Sequence, residues 1–280
     1  MGQTIKVAAV PIGPGGRDDS TLLREAQVGI AAAAAAGARL VLLPELSFLP
    51  YVATEDPLRW PVPAERRNGR TGQLMADLAR LHEVAILFGL AEDDGAGRPV
   101  NAALLARPDG TVERVATKQC LPPRQPDEGF GEADHFRPGT DAIAVTHLGP
   151  LRLATLICYD RRFPSHWAQA AAAGAELVAV MVAGPAPQDP PDFFRQELCA
   201  HAAGANLFAL SSARYGIETL VGRSIRHDGE TLAVARDGRV MASAECVAPS
   251  PVIISVPVGL TPLMPGAGEI GAASTITRPA

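Results

Sequence analysis

The sequence is short of cysteine, of basic runs and of long apolar stretches, and each shortage removes a class of function. Cys120, Cys158, Cys199 and Cys246 are the only cysteines in 280 residues, and none stands in a CxxC pair. They are too sparse for a disulfide framework and read as thiols of a reducing compartment. Lysine and arginine total 25 against 30 acidic residues, a net charge of −5, and no run of basic residues forms a stripe. Such a chain has no electrostatic footprint for nucleic acid. The most apolar long window, Val28 to Leu43, is broken by Gly37 and Arg39 and is too short to span a bilayer. The N-terminus runs straight into IKVAAV without the marks of a secretory leader, and Lys6 stands where a myristoylation motif wants Ser or Thr. The expectation is a cytoplasmic protein that binds neither nucleic acid nor membrane.

Several catalytic signatures are missing as well. There is no GxSxG elbow, HExxH or Walker loop. The six histidines, His82, His135, His147, His166, His201 and His227, show no metal-ligand spacing. The glycines of Gly13 to Gly16 follow a strand but lack the GxGxxG spacing and read as a turn.

What is present is a core and a regular alternation of elements. Hydrophobic residues make up 47% of the chain, enough for a substantial interior. Ile5 to Val10 reads as a buried strand, Thr21 to Ala36 as an alanine-rich helix with Ser20 as N-cap, and Gly37 as its C′ residue. RLVLLPEL gives a second strand with Glu45 at its tip, and Pro50 to Arg70 a long surface loop. Thr71 to His82 is helical, VAILFGL is a strand, and Asn101 to Arg107 pairs with Val112 to Thr117 around Pro108-Asp109-Gly110. A long proline-rich passage, Gln119 to Thr140, has the length of a functional loop. Further strands are expected at LVAVMVA and LFALSSA, with a helix from Phe193 to Gly204 between them. A hairpin is expected through Arg223 to Glu245, and residues 250–280 read as an extended tail of a single domain spanning 1–280. AAAAGARLVLLP, from Ala33, nearly repeats as AAAAGAELVAVM, from Ala170, which points to two similar α/β halves around a shared core.

The stretch LRLATLICYDRRFP, Leu151 to Pro164, is a buried strand that ends on Cys158, with Arg161 and Arg162 close behind and a helix after Pro164. A thiol at that position is placed to ionise, because helix N-termini and cationic neighbours lower a thiol pKa. Its partners by residue type are Glu45, able to take a proton, and Lys118, able to hold a developing oxyanion.

With these residues in view, the chain resembles a family. LLPELSF around Glu45, TKQCLP around Lys118 and ICYDRRFP around Cys158 are similar, in order and spacing, to the three signature motifs of the nitrilase superfamily, the carbon–nitrogen hydrolases. The resemblance covers Ile5 to about Ala248 and implies an α/β fold, a four-layer α–β–β–α sandwich. It implies a catalytic set of Glu45, Lys118 and Cys158, joined by a second glutamate, Glu132 in GEADHFRPG, with Glu128 as competitor. It further implies hydrolysis of a small amide or N-carbamoyl compound through a cysteine thioester, with the Tyr159 backbone N–H as an oxyanion donor. No metal or organic cofactor is implied, and a homodimer or larger homo-oligomer is.

Tyr159 after the cysteine resembles the amidase and carbamoylase branches more than true nitrilases, which more often carry Trp-Glu there. The chain departs from the pattern at Gln119 and Cys120, where relatives often have His after the lysine. It departs again at Gly184 to Pro187, where many relatives place an Asn or a Ser-rich segment. Tyr51, Arg161, Glu218, Arg214 and Gly184 are expected near the substrate, from loops that would build the pocket. The alternatives are an acyl-transferring member, a catalytically silent binding relative, and a redox-sensing thiol protein with Cys120 or Cys199 as resolving cysteine.

Overall fold

Alternation along the strands sorts their side chains into an inner and an outer set, as a period of two requires. In the computed structural model, which describes residues 3–13, 19–51, 53, 55–124, 130–186, 188–220, 223–245 and 248–259, these sets feed separate cores. The first sheet has the order β14-β1-β2-β3-β4-β5. Its strands are β1 (Thr4–Ala9), β2 (Leu40–Leu42), β3 (Ala85–Glu92), β4 (Val100–Ala106), β5 (Val112–Thr117) and β14 (Val252–Pro257). The second has the order β13-β12-β9-β8-β7-β6, built from β6 (Val145–Leu148), β7 (Leu151–Ile157), β8 (Leu177–Val182), β9 (Phe208–Ala213), β12 (Leu232–Val234) and β13 (Val240–Ser243).

Val7, Leu40, Leu42, Leu87 and Leu105 of the first sheet pack into one cluster with Leu153, Ile157, Leu177, Met181 and Leu210 of the second. Their sequence neighbours face outward. Ala8, Val41, Ile86 and Leu104 meet Leu22, Ala26 and Ile30 of helix α1 (Asp19–Ala35) and Met75 and Ala79 of α2 (Arg70–His82). On the far side Leu156, Val178 and Ala209 meet Trp167 and Ala170 of α4 (Pro164–Ala172) and Leu198 and Ala202 of α5 (Phe193–Ala205). The layers therefore run α–β–β–α. The strands are apolar on both faces because both faces are covered.

The internal repeat is structural. β1, β2 and β3 are mutually parallel, as are β7, β8 and β9. Each parallel trio is flanked by antiparallel strands, β14 and β4 in one half, β6 and β12 in the other. The repeated segments are the α1–β2 and α4–β8 connections. Gly37 and Gly174, at φ +85° and +83°, turn each helix into its strand in a conformation that favours glycine.

Two expectations are modified. Arg223 to Glu245 is not one hairpin: β11 (Arg223–Arg226) pairs back with β10 (Ile217–Leu220), while β12 pairs with both β9 and β13. Within 250–280, Val252–Pro257 is strand β14, and residues 260–280 lie outside the described residues, as do Glu128, Cys246 and Pro187. Among the described residues no helix is long and apolar enough to cross a membrane.

Candidate active site

Four strand ends bring the site together. After β2, the amide of Leu43 still bonds to Leu87 O at 2.8 Å, and the chain then turns sharply at Leu46, φ 41°. Ser47 Oγ fastens this turn, donating to Pro44 O at 2.7 Å and accepting from Gly89 N–H at 3.0 Å. β3 crosses so close that a Cβ on Gly89 would stand 2.2 Å from Leu46 N. The turn leaves Glu45 inward and 1% exposed.

Lys118 follows β5 and is fully buried. Its Nζ donates to Glu45 Oε1 at 2.8 Å and to both oxygens of Glu132 at 2.8 and 2.6 Å. Glu132 opens the short helix α3 (Glu132–His135) inside the long loop. Asn101 of β4 serves two partners: its carbonyl accepts from Lys118 N–H at 2.9 Å, and its Nδ2 donates to Glu45 Oε1 at 2.7 Å.

Cys158 ends β7 at φ +49°. That left-handed conformation is uncommon for a residue with a side chain and concentrates at functional sites. Its Sγ donates to Ala183 O at 3.3 Å, and Ala183 N–H donates to Glu45 Oε2 at 2.9 Å. One residue past β8 thus touches both the thiol and the carboxylate.

The arginines do not act as the sequence suggests. Arg161 lies against Phe194, 4.5 Å from the ring centroid, and pairs with Glu197 at 3.0 Å. Arg162 pairs with Asp189 at 2.5 Å between Tyr159 and Phe193. With both cations matched by carboxylates, burial and then the Glu45 charge push the Cys158 thiol up to about 12, against the weaker pull of Lys118 and Arg161. The expectation of a thiol placed to ionise is corrected: burial and the Glu45 charge hold it protonated. Burial also raises Glu132, to about 7, opposed by Lys118 and reinforced by Glu45. Burial alone would lower Lys118, but Glu132 and Glu45 outweigh it and hold the ammonium charged.

A cavity of about 370 Å³ opens over Cys158, lined among others by Tyr51, Glu132, Tyr159, Gly184 and Phe193. The Tyr51 phenol is raised well above its usual pKa, by burial first and then by Glu132. Its ring lies against Gly184, where a Cβ would approach it to 2.6 Å. All of the sequence-derived site residues except Glu128, which lies outside the described residues, therefore meet at or beside this cavity. Arg161 does so as a paired structural cation, and Arg214 and Glu218 stand behind the wall, 1% exposed each.

Sequence reasoning missed Asn101, Ala183 and Asp160. Asn101 was legible as a polar break in the apolar run VNAALLA. The Asp160 carboxylate accepts the amides of Gln119 and Cys120 at 3.1 and 2.8 Å, tying the Lys118 loop to the Cys158 turn. Cys120, Asp160 and His166 bring one ligand atom each within 4.8 Å of one another, a grouping that linear spacing did not reveal. Asp160 is already bonded to those amides, and His166 Nδ1 donates to the Asp160 carbonyl at 2.9 Å. Hydrogen bonds through Asp160 thus already join the three residues.

The carbon–nitrogen hydrolase family profile matches residues 6–255. The chain belongs to the carbon–nitrogen hydrolase family. Among solved structures, an amidase of the nitrilase superfamily from Nesterenkonia AN1 superposes with TM-score 0.76 at 24% identity, covering 92% of each chain. This likeness shows the fold. A Pseudomonas protegens protein described as "Hydrolase in pqqF 5'region" is 32% identical over 184 residues, 65% of this chain and 59% of that one. An "(R)-stereoselective amidase" from Pseudomonas sp is 30% identical over 181 residues, 65% of this chain and 61% of that one. The chain thus spans about three fifths of the length of these curated relatives.

Proposed function

We propose that this carbon–nitrogen hydrolase cleaves a small amide through a thioester on Cys158. The observation that carries the reading is the Ala183 residue shared between the Cys158 thiol and the Glu45 carboxylate, with Lys118 bonded to that carboxylate. Glu45 takes the thiol proton as sulfur attacks the amide carbon. Lys118 and the Tyr159 backbone N–H stabilise the oxyanion. The C–N bond then breaks, the amine leaves with the proton from Glu45, and a thioester remains. Glu45, aided by Glu132, draws a proton from water, which attacks the thioester and releases the acid and the thiol.

Charge at the mouth favours an amide over an N-carbamoyl amino acid. A substrate carboxylate needs a cation, and those beside the cavity are committed: Lys118 to Glu45 and Glu132, Arg161 to Glu197, Arg162 to Asp189, Arg195 to Glu230. Asp192 and Asp228 add negative charge to the same lining. A neutral or ammonium-bearing amide suits that field; a carboxylate does not.

The test is ammonia release from a panel of neutral amides, amino amides, N-carbamoyl amino acids and nitriles, with Cys158→Ala in parallel. Release from the amides, abolished in the variant, is expected. Release that survives in the variant sinks the thioester reading, and a preference for N-carbamoyl amino acids sinks the substrate assignment.

A further inference from the structure

A second buried polar network lies behind the cavity wall and takes no part in the proton transfers above. Glu218, His227 and Arg214 are 1%, 7% and 1% exposed. The Glu218 carboxylate accepts the Tyr51 amide at 2.5 Å and meets His227 Nε2 at 3.3 Å, with Arg214 Nη1 at 3.8 Å. Burial alone would raise Glu218, but the His227 hydrogen bond and the Arg214 charge overcome it, so its pKa is lowered. Arg214 also donates to the Leu46 carbonyl, in the turn that carries Glu45.

His227 is the informative member. Gly184 N–H, which can only donate, points at His227 Nδ1 at 3.0 Å. Nδ1 is therefore the bare nitrogen, and Nε2 carries the proton given to Glu218. Gly184 N–H belongs to the same planar peptide as the Ala183 carbonyl. That carbonyl accepts the Cys158 thiol on the peptide's opposite edge. Gly184 sits at φ +86°, and a glycine there leaves the preceding peptide free to rotate unless something holds it.

We infer that His227 is a positioning residue that locks the Ala183–Gly184 peptide, so that its carbonyl faces the Cys158 thiol and the neighbouring Ala183 N–H faces Glu45. Glu218 fixes the imidazole tautomer and, by accepting the Tyr51 amide, holds the residue whose ring lies against Gly184. The nucleophile and its base are thus held from behind by a histidine that never meets the substrate. Glycine at position 184 makes the lock necessary, and His227 Nδ1 supplies it. The kinetic part of this inference rests on the hydrolase reading; the tautomer does not.

Asparagine and glutamine separate the two bonds of the imidazole, because an Asn amide reproduces the Nδ1 position and a Gln amide the Nε2 position. His227→Asn is expected to keep kcat within about threefold of the parent, while His227→Gln loses about tenfold or more with KM little changed, as misplacement of reacting groups predicts. A merely structural histidine would lower kcat equally in both variants, in step with the melting temperature, and that result overturns the lock. ¹⁵N NMR of histidine-labelled parent protein reads the tautomer directly and needs neither variant nor substrate. A bare Nδ1 and protonated Nε2 on His227 support the lock; the reverse assignment overturns it. Because the spectrum does not depend on turnover, an inactive parent would count against the hydrolase reading alone.

Discussion

At Cys158 the charge with the strongest influence is not the one closest in sequence. Arg161 and Arg162 follow the thiol along the chain, yet Glu197 and Asp189, from the second α/β half, take up their charge. Burial and then the Glu45 charge act on the thiol instead and raise its pKa to about 12. A raised thiol pKa means that the proton is held at neutral pH and that the thiolate fraction grows tenfold for each pH unit below that value. Alkylation of the free enzyme by iodoacetamide should therefore be slow at pH 7 and rise steadily to pH 9.5, without a plateau. A plateau near neutrality, followed by stopped reaction sampling, would mean a preformed thiolate. Glu45, Lys118, Cys158 and Glu132 were legible because each stands in a motif or at a strand tip. The sign of the influence on the thiol was not, since counter-ions from distant elements leave no mark beside the cysteine.

Among elements, the close crossing of β3 under the Glu45 turn fixes the most geometry with the fewest atoms. A Cβ on Gly89 would meet Leu46 N at 2.2 Å, Glu45 C at 2.8 Å and Pro44 O at 2.9 Å. All three are backbone atoms, so no side chain can swing away to relieve the clash. Gly89→Ala should cost about 1–3 kcal/mol or more, the range for overpacking, and depress kcat by shifting Glu45. Thermal unfolding and steady-state kinetics check this together; an unchanged melting temperature would show that the turn yields. Strands and helices were readable from apolar runs, glycine stops and proline starts. The β10–β11 ribbon was not, because RSIR carries no indication of which neighbour it pairs with.

For the whole molecule, β14 closes the first half with residues from near the other end of the chain. Val252, Ile254 and Val256 are buried in the cluster between the sheets, and the strand pairs with β1 along its length. Fully burying each such side chain contributes about 1.5–3 kcal/mol, so losing three approaches the 5–15 kcal/mol that typically holds a domain folded. A chain cut after Ser250 should aggregate or melt far below the parent, whereas one ending at Gly259 should fold, as circular dichroism and size-exclusion chromatography would show. The sequence reads this region as a tail because its partner strand lies about 250 residues away, beyond any local pattern.

Glu45 and Lys118 come from one α/β half, Cys158 and Ala183 from the other, and the two halves meet across an apolar interior. That interior is accordingly a spacer as well as a source of stability. Its thickness, set by alternating leucine, valine and alanine side chains, determines how far Glu45 and Lys118 stand from Cys158. Neither half holds all four of these residues. The proposed chemistry belongs to the seam, much as the bite of a hinge belongs to neither leaf.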